Sequence, residues 1–319
     1  MDDKGRLIIS FPNEDELYQG TLRQSNADDK ETVSIVSFAG DVYHYQWSEN
    51  QNLQFVELAA KSTDDYEYSR QEYVKLIHEA IQFCETDEMK VVCSRSKFIP
   101  HNKPDIWRWC RALKDAYPNA YVYVLQTDQL GCWIGASPEL LVEKHGNAFS
   151  THSLAGTKWG TDEFTEKEYR EQLVVTKSIL KDLYLDESKE YPPEEIVYGS
   201  VRHLKSSIQW TDNSSLNRLT HRLHPTPAVC GYPKEKAINF ITNKERNNRK
   251  LYTGFISICG LGNREVAFVN LRCGRIFSDG VQLFAGGGIN AMSDPETEWL
   301  ETEQKIKTIT NVLGIYDTN

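Results

Sequence analysis

Two spacings of apolar residues alternate along the chain and predict where strands and helices lie. Short β-rich runs open it at 6–11 and 33–38, separated by polar, turn-like segments, and read as the edge of a sheet. Tyr73, Leu76, Ile77, Ala80 and Ile81 then recur at helical spacing within a helix predicted over 65–84. A short buried strand with charged ends follows at 90–95, then a helix at 105–117 and strands at 120–126, 132–136 and 140–144. A helix over 165–185 carries Gln172, Val175, Ile179 and Leu183 as its buried stripe. Beyond a surface loop at 191–195, residues 196–209 alternate as one strand, and short helices are predicted at 215–223 and 234–243. Strands at 251–259, 265–273 and 276–284 read as an antiparallel meander before a closing helix. With no internal repeat and no long linker, the pattern predicts one α+β domain over 1–319, with large antiparallel sheets flanked by helices.

Composition narrows the function classes. The chain has 319 residues, 39% hydrophobic and 26% charged, enough for a large buried core. Its net charge of -10 argues against nucleic acid as a partner, because phosphate contacts need a basic face. An anionic substrate would need local cations or a metal. The seven cysteines are odd in number and form no C-x-x-C, so neither a disulfide framework nor a zinc knuckle is expected. The first residues lack the apolar core of a signal peptide and no run reaches membrane-span length, which leads to the expectation of a cytoplasmic protein that avoids the bilayer.

Candidate chemistry concentrates near the C-terminus. Ala285-Gly286-Gly287-Gly288-Ile289 reads as a glycine-rich turn whose N–H groups can face an anion, leading into an acidic helix capped by Ser293 or Asp294 with Pro295 in its first turn. In that helix Trp299, Thr302, Ile306, Ile309 and Leu313 form the buried stripe, and Glu298, Glu301 and Lys305 lie along its border. Glu168 and Glu171 repeat the arrangement on the helix at 165–185. Two facing E-x-x-E borders can build an oxygen-rich site for a divalent cation, with Mg2+ the expected occupant.

A set of motifs then falls in order: Lys90-Val91-Val92-Cys93-Ser94-Arg95, Ser137-Pro138-Glu139-Leu140, Leu154-Ala155-Gly156-Thr157, His203-Leu204, the run from His224 to Pro233, Tyr252-Thr253-Gly254, Leu271-Arg272, the glycine run and the Glu298/Glu301/Lys305 helix. Together they resemble the chorismate-utilising enzymes, the family that includes anthranilate, aminodeoxychorismate, salicylate and isochorismate synthases. The similarity covers roughly 70–315, and the first segment, 1–65, is shorter than is usual there. The resemblance implies a single chorismate-binding domain. Ala155 stands where one branch carries a lysine nucleophile, and Lys90 where water-using members carry their base, so the resemblance implies water as nucleophile and chorismate-to-isochorismate isomerisation. Salicylate synthesis, with later loss of pyruvate, and a non-catalytic chorismate-binding protein are the alternatives. The departures are Ser153, Lys158 and Gln172, where the family commonly has proline, arginine and histidine.

Residue by residue, the resemblance implies Lys90 as general base and Glu139 as general acid. As a base Lys90 must give up its proton near neutral pH, which an apolar strand favours, with Arg95 as a second cation if it folds back nearby. Glu171 and Glu301 match the family's Mg2+ ligands, with Glu168 and Glu298 acting through water or as secondary ligands and Lys305 balancing their charge. Arg272, Tyr252, Gly286 and Gly288 match positions that hold the substrate's side-chain carboxylate. Gly156, Thr157 and His203 match residues beside the leaving hydroxyl. The expected partner is the small molecule chorismate, without nucleic acid, membrane or a glutamine amidotransferase subunit, and the chain is expected to be a monomer.

Overall fold

The computed structural model describes residues 3–26, 31–59, 65–84, 89–186, 188–189, 191–198 and 201–316. Four strands open the chain: β1 (Lys4–Ser10), β2 (Tyr18–Gln24), β3 (Thr32–Val36) and β4 (Val42–Glu49). Helix α1 (Arg70–Phe83), strand β5 (Lys90–Pro100) and helix α2 (Ile106–Ala116) lead to β6 (Tyr121–Thr127), β7 (Gly131–Ser137), β8 (Leu140–His145) and β9 (Ala148–Trp159). Next come α3 (Glu166–Asp182), the strands β10 (Glu194–Tyr198) and β11 (Val201–Thr211), α4 (Leu216–Leu223), the two-residue β12 (Gly231–Tyr232) and α5 (Lys234–Lys244). Strands β13 (Phe255–Cys259), β14 (Glu265–Val269), β15 (Cys273–Phe277) and β16 (Gly280–Ile289) precede the closing helix α6 (Pro295–Leu313).

Antiparallel pairing links these strands in the order β10-β11-β9-β8-β14-β13-β3-β4-β2-β1-β6-β7-β15-β16-β5-β12. Side chains alternate between faces along a strand, so each strand feeds two cores. In β1, Leu7 and Ile9 join Ile256, Ile258, Val266 and Phe268 in one cluster, while Ile8 joins Trp109, Leu113, Ile306 and Ile309 in another. In β14 the other face, Ala267 and Val269, meets Val175 and Ile179 of α3 and Leu219 of α4. The long sheet therefore folds back on itself: two halves pack face to face, with α2 and α6 outside one half and α3 and α4 outside the other. This is the α+β arrangement of antiparallel sheets flanked by helices that the sequence pattern predicts.

Long-range pairing departs from the sequence reading in several places. The opening segment is no sheet edge: β1 pairs β6 and β3 pairs β13, so β1–β4 bridge the two halves. The unbroken Leu7-Ile8-Ile9, all fully buried, marks a strand covered on both faces. The C-terminal strands are no meander. Hairpin β13–β14 continues into β8, hairpin β15–β16 continues into β7, and the chain crosses between the halves at 270–272. Asn270 fixes that crossing by donating to the Leu251 carbonyl at 2.9 Å and accepting from the Tyr123 hydroxyl at 2.7 Å, and Arg272 takes the left-handed backbone at φ 47°. The single strand expected at 196–209 is the hairpin β10–β11, and β2, β4 and β9 join elements the periodicity leaves out. The glycine run is no turn either, since 285–289 finish β16 and pair with 91–95 of β5.

Candidate active site

A cavity of about 190 Å³ draws its walls from both ends of the strand order: β9 and β11 from one end, β16 and β5 from the other, with α3 and α6 alongside. Every residue matched to the family's catalytic, substrate or metal positions lines it except Thr157, whose side chain lies outside the described residues. The convergence comes from folding, since Lys90 and Lys305 are separated by most of the chain.

Lys90 opens β5, and its Nζ donates to Glu171 Oε1 of α3 across 2.6 Å, both side chains being largely covered. Glu139 sits in the tight link between β7 and β8 and is 4% exposed. Its backbone is held by Val269, whose N–H donates to the Glu139 carbonyl at 3.0 Å, and by the Ser137 hydroxyl, which accepts from Glu139 N–H at 3.3 Å. Burial pushes the Glu139 carboxyl up to about 7, against the opposing effects of a Thr226 hydroxyl donor at 3.3 Å and the nearby Lys90 charge. At and below neutral pH the cavity thus contains a carboxylic acid able to donate a proton, in company with a lysine.

The Leu154-Ala155-Gly156 wall is shaped by a β-bulge. Register runs His203 to Thr157 and then Leu204 to Ala155, leaving Gly156 as the extra residue. Gly156 has φ 68°, and a Cβ there would stand 3.0 Å from Glu168 Cβ, so conformation and space both call for glycine. Across the ladder His203 hydrogen-bonds the Gly156 backbone; burial, with Arg272 and Lys305 nearby, lowers its ring to about 3 and keeps it neutral. Burial also holds the Tyr252 hydroxyl protonated, its ring stacked on Phe284 at 5.7 Å.

Helix α6 starts as the sequence indicates, with Asp294 accepting from Thr297 N–H at 2.9 Å and Pro295 in the first turn, and it ends at Gly314 in the left-handed conformation. It presents Glu298, Glu301 and Lys305 to the cavity. Lys305 donates to Glu301 at 2.7 Å and to the Gly286 carbonyl at 2.7 Å. Arg95 does not fold back toward Lys90. It points to α6, where its guanidinium stacks 3.9 Å from the Trp299 ring centroid, donates to the Thr302 hydroxyl at 2.7 Å and pairs with Glu303. Strand alternation is the reason: Arg95, five residues from Lys90, takes the opposite face of β5. Arg95 therefore anchors the helix that carries the acidic border.

Among the described residues, no three His, Cys, Asp or Glu side chains converge closely enough to hold a metal. Glu171 engages Lys90 and Glu301 engages Lys305, while Glu168 accepts from both the N–H and the hydroxyl of Thr165 and pairs with Lys158 at 3.4 Å. Burial raises the Glu168 carboxyl, but those donors outweigh it and hold it below the ordinary range. The donor set nevertheless fits a hard divalent cation. Five glutamates face Lys90, Lys305 and Arg272 in the lining; with Glu139 protonated, four carboxylates still exceed three cations, so the lining holds a net negative charge that would repel an anionic ligand.

Three features escape sequence reasoning. Arg249, fully covered, donates to the Val92 carbonyl at 2.6 Å, the Val229 carbonyl at 2.9 Å and both oxygens of Glu245, tying the cavity floor to the loop after His224. In the sequence this pair sits within the polar, charge-rich segment 243–250, which has the composition of a solvated turn. Thr226 touches Glu139 from inside the His224 to Pro233 motif. Finally, two of the departures form one network: Gln172 Nε2 donates to Ser153 O at 3.0 Å, Ser153 Oγ at 2.8 Å and Ser206 Oγ at 3.2 Å, joining α3 to β9 and β11.

Residues 20–314 match the profile of the chorismate binding enzymes, and the chain belongs to that family. Isochorismate synthase EntC of Escherichia coli (strain K12) is 33% identical over 217 residues, 62% of this chain and 55% of EntC. Isochorismate synthase MenF of Bacillus subtilis (strain 168) is 30% identical over 268 residues, 78% of this chain and 56% of that protein. The chain thus spans little more than half the length of these curated relatives. The solved structure of MenF, the menaquinone-specific isochorismate synthase from Escherichia coli, superposes with a TM-score of 0.79 at 21% identity over 97% of this chain and 88% of that one, a likeness of fold.

Proposed function

We propose that the protein isomerises chorismate to isochorismate in a Mg2+-dependent reaction, with water adding at one ring carbon as the hydroxyl leaves another. The observation that carries this reading is one cavity holding Lys90, a Glu139 carboxyl raised to about 7 and the methyl of Ala155. Lys90, acting as the neutral amine, takes a proton from the incoming water and Glu139 gives one to the departing hydroxyl, so protons balance and a second water leaves. Ala155 offers no competing amine and leaves room for the water. Neutral His203, beside the bulge at Gly156, flanks the leaving hydroxyl. Arg272, the Tyr252 hydroxyl and the backbone near Gly286 and Gly288 hold the side-chain carboxylate.

Glu171 and Glu301 would hold Mg2+, with Glu168 and Glu298 in support, and the ion would supply the positive charge that a dianion needs in an acidic lining. Relatives named isochorismate synthases support the reading, as does the match of Lys90 to the base position. Its test is reversal. Isomerisation releases no fragment, so purified protein given isochorismate should regenerate chorismate by exchanging the roles of acid and base; release of pyruvate from isochorismate as the main outcome would overturn it.

A further inference from the structure

We propose that Gly288 is a positioning residue for Lys90: its missing side chain is the space through which the lysine runs to Glu171. This rests on the assignment of Lys90 as base above. In the β5–β16 ladder Gly288 lies opposite Val92, so by the two-residue period Lys90, Val92 and Gly288 share one face of the sheet. Lys90 is the diagonal neighbour of Gly288, a separation that long side chains bridge. A Cβ built on Gly288 would clash with Lys90 Cε and stand 3.0 Å from Nζ. Gly288 does not adopt positive φ, so its backbone conformation does not call for glycine. The adjacent Gly287 makes similar room for another charged group, its Cβ position being 2.9 Å from Glu298 Oε2.

Which partner yields to an added methyl follows from stiffness. The strand backbone is tied into the ladder by successive hydrogen bonds, whereas a lysine stem rotates about four bonds. Gly288→Ala therefore moves the lysine and leaves the strand in place. If Gly288 served only to bring an N–H near a substrate carboxylate, alanine would keep that N–H and the Lys90 geometry with it, and any loss would fall on KM.

The test is a crystal structure and kinetics of Gly288→Ala, alone and in a Lys90→Ala background. The proposal expects Lys90 Nζ beyond about 4 Å from Glu171, outside ion-pair range. It expects kcat to fall by roughly 100-fold with KM little changed, the scale of a misplaced catalytic group. In the Lys90→Ala background the same substitution should lower kcat far less than it does alone, because the kcat loss runs through one side chain. In Gly287→Ala, Lys90 should keep its contact with Glu171. Retention of the 2.6 Å pair in Gly288→Ala, or a loss confined to KM, or additive losses in the double variant, would overturn the proposal. If Gly288→Ala alone does not fold, folding of the double variant supports the steric conflict and failure of both overturns it. A wild type that leaves chorismate unchanged would refute the isomerase reading, and the crystallographic arm would still decide the relationship between Lys90 and Gly288.

Discussion

The Nζ of Lys90 and the Oε1 of Glu171 lie 2.6 Å apart, so the residue matched to the base and a residue matched to a metal ligand hold each other across the cavity from β5 to α3. One contact thereby links the two halves of the proposed chemistry, proton transfer and cation binding.

Lys90→Ala should lower the rate of isochorismate formation by roughly two to four orders of magnitude, the usual contribution of a general base. Circular dichroism should show the variant folded, since Lys90 is partly exposed and begins its strand. Near wild-type turnover in that folded protein would remove Lys90 from the mechanism.

Glu139 makes both activity and stability depend on pH. As a proton donor with its carboxyl near 7, it should lose competence as pH rises through about 7, seen as a falling kcat/KM. Folding raises this group from an ordinary 4.5, so between 4.5 and about 7 the folded state binds more protons than the unfolded state, and stability falls as pH rises across that window. Thermal unfolding of wild type and Glu139→Gln across pH should show the glutamine variant lacking that component of the decline.

Arg249→Ala leaves the buried Glu245 carboxylate without its main partner and takes a donor from each of two carbonyls, and should destabilise the fold by about 3–5 kcal/mol. Urea denaturation would measure it; a loss below about 1 kcal/mol would show that water replaces the guanidinium.

Excess chelator should abolish activity, and Glu301→Gln should reduce it severely, because a dianionic substrate then faces an acidic lining without its compensating charge. Full turnover in chelator would assign these glutamates to ion pairing alone.

Much of this was legible in the sequence, and the exceptions have physical causes. Helical periodicity places α1 through α6 to within a turn or two, because each buries one stripe. Period-two alternation assigns faces to strands but not partners, so the central position of β1 and the crossing at Asn270 are visible only in three dimensions. The motifs locate Lys90, Glu139 and the acidic border. The direction of Arg95 and the burial of Arg249 depend on what packs above them. Gly286 to Gly288 read as a turn because glycine usually marks one, whereas they are strand residues that make room for other groups.

Incubation of the purified protein with chorismate, Mg2+ and an ammonium salt, with the products separated by chromatography, tests the central claim most directly. Isochorismate in equilibrium with chorismate is the expected result, with neither pyruvate nor an aminated product, since in the proposed reaction Lys90 directs water and Ala155 supplies no amine. Stoichiometric pyruvate, an aminated ring or unchanged chorismate would contradict it.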